Sequence, residues 1–141
     1  MQYQLRYGRG LLEVGVPDDV QVTCLRKPPM PPLSDEHAAV LDALARPVDS
    51  PDLAQLARGA RSACIAICDI TRPVPNQLFL RPMIETMLAA GMSASKITVL
   101  VATGLHRPNE GAELEELLGD PWVQQTVAVE NHFARDDAQH V

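Results

Sequence analysis

The stretch Ala63-Cys64-Ile65-Ala66-Ile67-Cys68-Asp69-Ile70-Thr71-Arg72-Pro73-Val74-Pro75-Asn76 decides the fold. Six apolar residues run straight into an acid, a hydroxyl, a guanidinium and two prolines. The arrangement repeats at Ile97 to Val101, which leads into Ala102-Thr103-Gly104-Leu105-His106-Arg107-Pro108. A helical pattern lies between the two runs. Short apolar runs joined by a helical crossover read as neighbouring parallel strands of a βαβ unit. In open parallel sheets the ligand crevice lies beyond the carboxyl ends of the strands. The two polar clusters are therefore expected side by side in one hollow, where they would hold an anion and move a proton.

Working outward, residues 34–62 precede the first run with two helix starts. Ser34 stands before Asp35 and Glu36 as a capping hydroxyl, and Ser50-Pro51-Asp52 places proline at a first helical position. The strand Ala63 to Cys68 shows no alternation, as in a strand covered on both faces. Pro82 is expected near the first turn of the following helix, with Met83, Ile84, Met87 and Leu88 buried and Gly91 as terminator. After the second cluster, Asn109 is the expected cap of an acidic helix that buries Leu114, Leu117 and Leu118 and stops at Gly119. Val123 to Val129 reads as a further strand, ending at Glu130-Asn131-His132.

The first 27 residues read as a β-meander: Tyr3 to Tyr7, Leu11 to Val16 and Val20 to Leu25, with turns at Gly8-Arg9-Gly10 and Pro17-Asp18-Asp19. Residues 28–33, with Pro28, Pro29, Pro31 and Pro32, form an extended connector. Residues 34–141 form the βαβ core. The fold class is thus α/β: a meander, then βαβ units making a mostly parallel sheet with helices on its faces, within one domain.

At 141 residues the chain is long enough to bury roughly two-thirds of its unfolded surface. With 12 basic against 18 acidic residues and a net charge of −6, it has no basic stripe for a phosphate backbone, so nucleic acid is not an expected partner. Three cysteines, Cys24, Cys64 and Cys68, lie in apolar segments and read as buried reduced thiols of a cytoplasmic protein. Cys64 and Cys68 are too far apart along a strand to clasp one metal, and no metal site is expected. No apolar run reaches the ~20 residues needed to span a bilayer, and residues 1–8 lack signal-peptide architecture.

Two readings stand for each polar cluster. Arg72 suits bidentate capture of a carboxylate, with Asp69 orienting it or a substrate hydroxyl; alternatively, Asp69 only caps a turn and pairs with Arg72. His106 suits proton transfer near neutrality, or it is a loop histidine satisfied locally. Gly104 permits a tight turn and close backbone approach by a ligand. His132 either lines the same crevice or satisfies local backbone. His37, His140, Arg6, Arg9 and Arg26 read as solvated.

Asp-x-Thr-Arg-Pro after one strand and Ala-Thr-Gly-x-His-Arg-Pro after the next resemble the N-terminal domain of the nickel-dependent lactate racemase family. Asn131, His132 and Asp136 also resemble that family's pattern, and the likeness runs from the Tyr3 meander to Asp137. The resemblance implies racemisation or epimerisation of a small 2-hydroxy acid by proton-coupled hydride transfer to a nickel-pincer nucleotide. It implies that His106 and Arg72 are catalytic and that Asp69, Thr71, Arg72 and Gly104 line the cofactor pocket. Arg72, His106 and Arg107 would meet the substrate. Family members are much longer. Their second catalytic histidine, cofactor-linked lysine and nickel-ligating histidine come from beyond the matching region, which implies an N-terminal fragment of a two-domain enzyme, inactive alone and partnered by the remainder. The competing reading is a small anion- or nucleotide-binding module without catalysis.

Overall fold

A computed structural model describes residues 1–136 and 138. Asp137 and His140, to which the sequence reading extended, lie outside the described residues. The chain divides into two compact units, Met1–Pro32 and Leu33–Val141.

In the first unit, β1 (Gln2–Tyr7) and β2 (Gly10–Gly15) form an antiparallel hairpin in the register Gln2↔Gly15 through Tyr7↔Gly10. Two residues close the loop, and Gly8 at its first position takes φ +56°. Glycine suits this position because the turn that matches strand twist needs a positive φ there. The expected third strand, Val20 to Leu25, does not form. Val22 to Arg26 line a groove with hairpin side chains but add no ladder. The physical reason is burial: Leu5, Leu11, Leu12, Val20, Val22 and Leu25 are all exposed, so no covered face rewards a further strand.

The second unit is α/β. Its elements are α1 (Glu36–Ala45), α2 (Leu53–Ala57), β3 (Ala63–Cys68), α3 (Asn76–Ala89), β4 (Ile97–Ala102), α4 (Ala112–Leu118), α5 (Pro121–Thr126) and β5 (Ala128–Asn131). The sheet is parallel, ordered β3-β4-β5, with Ile65 opposite Val99 and Val99 opposite Val129. Ile65, Ile67, Val99 and Val101 on one face join Leu80, Ile84 and Met87 of α3, Leu117 and Leu118 of α4, and Val123 of α5 in a single core. α1 and α2 pack on α3.

Several local expectations are corrected. The cap of α1 is Asp35 rather than Ser34: its carboxylate accepts from the Ala38 N–H at 2.8 Å. The cap of α2 is Asp52, which accepts from the Gln55 N–H, so Pro51 lies just outside the helix. Pro82 sits well inside α3. Beginning the helix at Asn76 brings Leu80 onto the buried stripe with Ile84 and Met87, and this offsets the backbone bond that proline forfeits. Residues 121–126 are helix, not strand. Asp120 accepts from the Trp122 N–H and Pro121 takes the first turn, a helix-start signal that outweighs the β-branched residues after it.

Burial along β3 alternates, contrary to the expectation of a strand covered on both sides. Ile65 and Ile67 are buried, while Cys64, Ala66 and Cys68 are exposed. Cys24 is exposed too, so the expectation of buried thiols fails for all three cysteines. Because strand order follows chain order, both crossovers put their helices on the same face. Among the described residues no helix is long and apolar enough to cross a membrane.

A test of this one-sided core compares two substitutions by denaturant unfolding. Ile84, with no exposed surface, is expected to cost about 2–5 kcal/mol on replacement by Ala. Leu100→Ala on the other face is expected to cost about 1 kcal/mol or less. Equal costs would mean that both faces are covered in solution.

Candidate functional site

The polar clusters meet at the carboxyl ends of β3 and β4. The chain leaves β3 at Asp69 and turns at once, with the Arg72 N–H donating to the Asp69 carbonyl at 3.1 Å. Asp69 is 4% exposed. Its Oδ1 accepts from the Thr71 hydroxyl at 2.6 Å and the Thr71 N–H at 3.1 Å. Its Oδ2 pairs with Nδ1 of His106. These bonds, the Thr71 hydroxyl foremost and His106 next, hold the Asp69 carboxyl below its ordinary pKa. A carboxylate at Nδ1 selects the tautomer with its proton on Nδ1, which leaves Nε2 as a base. The His106 side chain is about half exposed.

Beyond β4, the chain turns through Gly104 at φ +57°, where an added Cβ would meet nothing within 4 Å. The His106 N–H donates to the Thr103 carbonyl at 3.0 Å. Thr103 is buried, and its hydroxyl donates to the carbonyl of His132. In turn, the His132 N–H donates to the Val101 carbonyl at 2.9 Å.

Asn109 ties the three strand ends together. Its Oδ1 accepts from the Ile70 N–H at 3.2 Å, its N–H donates to Asn131 Oδ1 at 2.9 Å, and its carbonyl accepts from Asn131 Nδ2 at 2.9 Å. Its Nδ2 donates to Glu113 at 2.9 Å. The expected helix cap at Asn109 is therefore not made; Gly111 precedes α4 instead.

An open hollow of about 510 Å³ lies beside these loops, lined by Gly104 to Pro108 and by His132 to Asp136. It contains Gly104, His106 and Arg107 of the expected site, together with His132. Arg72 is exposed and is not among the lining residues. Arg107 is held by Glu113 through bonds of 2.6 and 2.8 Å, an engagement that residue types alone do not reveal. This pairing keeps the Glu113 carboxyl below its ordinary pKa. Sequence reasoning passed over Phe133 and Arg135, which line the hollow. The available signal was their place two and four residues after Asn131 at a third strand end.

The family model for the lactate racemase N-terminal domain matches residues 7–141. A lactate racemase of Lactiplantibacillus plantarum is 35% identical over 106 residues, covering 75% of this chain and 24% of the relative. One from Thermoanaerobacterium thermosaccharolyticum is 28% identical over 123 residues, covering 86% of this chain and 29% of the relative. The structure of the lactate racemase apoprotein from Thermoanaerobacterium thermosaccharolyticum superposes with a TM-score of 0.76 at 27% identity, covering 98% of this chain and 31% of that one. The chain thus spans about a quarter of the length of these curated relatives. Its α/β architecture and its strand-end motifs share one explanation: the chain belongs to the lactate racemase N-terminal domain family.

Proposed function

We propose that this chain supplies one proton-handling half of a lactate racemase-like site acting on a small 2-hydroxy acid, and that the rest of the enzyme lies in further polypeptide. The observation that carries this reading is the Asp69–His106 pair at adjacent strand ends. His106 takes the substrate's hydroxyl proton at Nε2. Asp69 steadies the imidazolium that results, and Thr71 holds Asp69 in place. The exposed guanidinium of Arg72 orients the substrate carboxylate. Arg107, braced by Glu113, holds the loop that carries His106 against the hollow.

Inversion of a carbon through a flat intermediate requires an acid/base on each side, and this reading gives the chain one of them. A nickel-pincer nucleotide, the family's cofactor by resemblance, would supply a reversible hydride acceptor. The open space at Gly104 and the exposed Thr71-Arg72 turn suit the approach of a flat group. Gly104, Thr71 and Arg72 would hold it. Among the described residues no group of three or more His, Cys, Asp or Glu could hold a metal ion. By the resemblance, the nickel ligand and the covalent lysine belong to the remaining part of the enzyme. A second reading, a module that binds anions without chemistry, draws on Arg135 and Arg107 in the hollow.

Titration of the isotopically labelled chain with lactate, followed by NMR, separates the two readings. The racemase reading expects shifts at Gly104, His106 and Arg72, weakened at least about tenfold (1.4 kcal/mol) in Arg72→Gln. An equal response to inorganic phosphate, centred on Arg135 and indifferent to Arg72, would favour the anion module. The isolated chain is expected to show no racemisation, and turnover by it would overturn the division into halves.

Asp69→Asn tests the pair directly. An amide NH₂ facing Nδ1 moves the imidazole proton to Nε2, and long-range ¹H–¹⁵N spectra of His106 are expected to show the switch. An unchanged tautomer would remove Asp69 from its positioning role. The depressed pKa of Asp69 also has a pH consequence. A carboxyl lowered by folding contributes stability above its unfolded value of about 3.9, and that contribution is lost as pH falls through the folded value. Below about pH 4 the native chain is expected to lose stability more steeply than Asp69→Asn in acid-unfolding series.

A further inference from the structure

The parallel sheet has one unfinished side. Cys64, Ala66 and Cys68 of β3 share it with Leu100 and Ala102 of β4, since Ala66 pairs with Leu100 and Cys68 with Ala102. All but the half-buried Leu100 are exposed. The polar side chains of this face are the half-buried Thr98, opposite Cys64, and Glu130 of β5, opposite Leu100; charge on these strands stands only at Glu130. The outer edge of β3 also has no strand beside it among the described residues.

Parallel strands of this composition are found with both faces covered. The helices described do not provide the second cover: β3-β4-β5 in chain order sends both crossovers to the same side, and α1 and α2 pack on α3 there. Covering the other side takes chain that winds in the opposite sense, outward from β3. The solved lactate racemase has chain to spare for this: the part matched by 98% of this sequence is 31% of its length. Alanines and cysteines in the middle of the face leave room for a helix to sit close. A second copy would instead bring the same row of small side chains against itself, with little to interdigitate.

We propose that the face formed by Cys64, Ala66, Cys68, Leu100 and Ala102 is the docking surface for helices from the remainder of a lactate racemase-like polypeptide, with the edge of β3 continuing that interface. The choice of partner rests on the function proposed above. The position of the surface rests on topology and exposure.

The two face cysteines are built-in reporters. With Cys24 replaced by Ser, the chain is co-expressed with the part of the Thermoanaerobacterium thermosaccharolyticum lactate racemase that it does not match. Complex formation is read by co-elution on size exclusion, and alkylation rates of Cys64 and Cys68 are measured by mass spectrometry. The expected result is co-elution with both thiols slowed at least tenfold relative to the isolated chain. Ala66→Glu and, as a milder change, Leu100→Gln are expected to keep the thermal midpoint of the isolated chain and to lose co-elution. Co-elution with the thiols still fully reactive would overturn the proposal, as would co-elution unaffected by Ala66→Glu or no co-elution at all. Thiol protection that rises with the concentration of the chain alone would overturn it in favour of a second copy. No readout here depends on turnover. A complex that docks on this face but, supplied with the family's cofactor, racemises no small 2-hydroxy acid would sink the proposed function and leave the surface standing.

Discussion

Backbone amides just beyond the end of a parallel strand have lost their ladder partners, yet at the tip of a packed sheet they are shielded from water. In this chain Asn109 resolves that conflict for three strands at once. Its side chain receives the Ile70 N–H beyond β3, and its own backbone exchanges two bonds with the Asn131 amide at the end of β5. Few other side chains could serve, because the position requires an acceptor toward Ile70 and a donor toward Glu113 from one planar group. An aspartate would lack the donor and set a second carboxylate against Glu113.

The placement of the imidazole follows from this clamp. The loop from Thr103 to Asn109 is pinned at both ends, by the buried threonine on the His132 carbonyl and by the paired asparagines. Between those pins the His106 N–H closes a turn on Thr103. With the loop fixed, the ring meets a carboxylate whose other oxygen Thr71 has already engaged. A base positioned by a hydrogen-bonded chain has little rotational freedom left to lose when a ligand arrives, which is the physical content of preorganisation.

The parallel strands and the polar clusters after them were legible because their signals are local: an apolar run, then a turn with acid, hydroxyl and cation. The pairing of Asp69 with His106 was not legible: the sequence reading set Asp69 against Arg72 or a substrate hydroxyl, whereas its carboxylate turns to the imidazole of the next strand end. Other features depend on competition between signals that sequence cannot weigh. Pro82 reads as a helix breaker, but packing of Leu80 beneath α3 outweighs one lost bond. Val123 and Val127 read as strand, whereas Asp120 and Pro121 nucleate a helix ahead of them. The capture of Arg107 by Glu113 and the displacement of Arg72 from the hollow are matters of side-chain direction, which residue types leave open. The meander failed for a different reason. Alternation predicts a strand only where one side is buried, and the first unit offers no buried side to Val20–Leu25.

The disagreement at β3 is the most instructive, since both sides of it are physically sound. Ala63 to Cys68 has the composition of a strand covered on both faces, with no polar residue at any outward position. A strand evolved to face water on one side would alternate, as antiparallel sheets with a solvated face commonly do. Yet Cys64, Ala66 and Cys68 are exposed. The same contrast is absent at the far side of the sheet: the outward Glu130 of β5 is a residue suited to a wet margin. Apolar composition fading to charge across adjacent strands outlines a covered patch with an edge. A sheet that met water on that entire side would have no reason to keep its charge to one margin, with only the half-buried hydroxyl of Thr98 between.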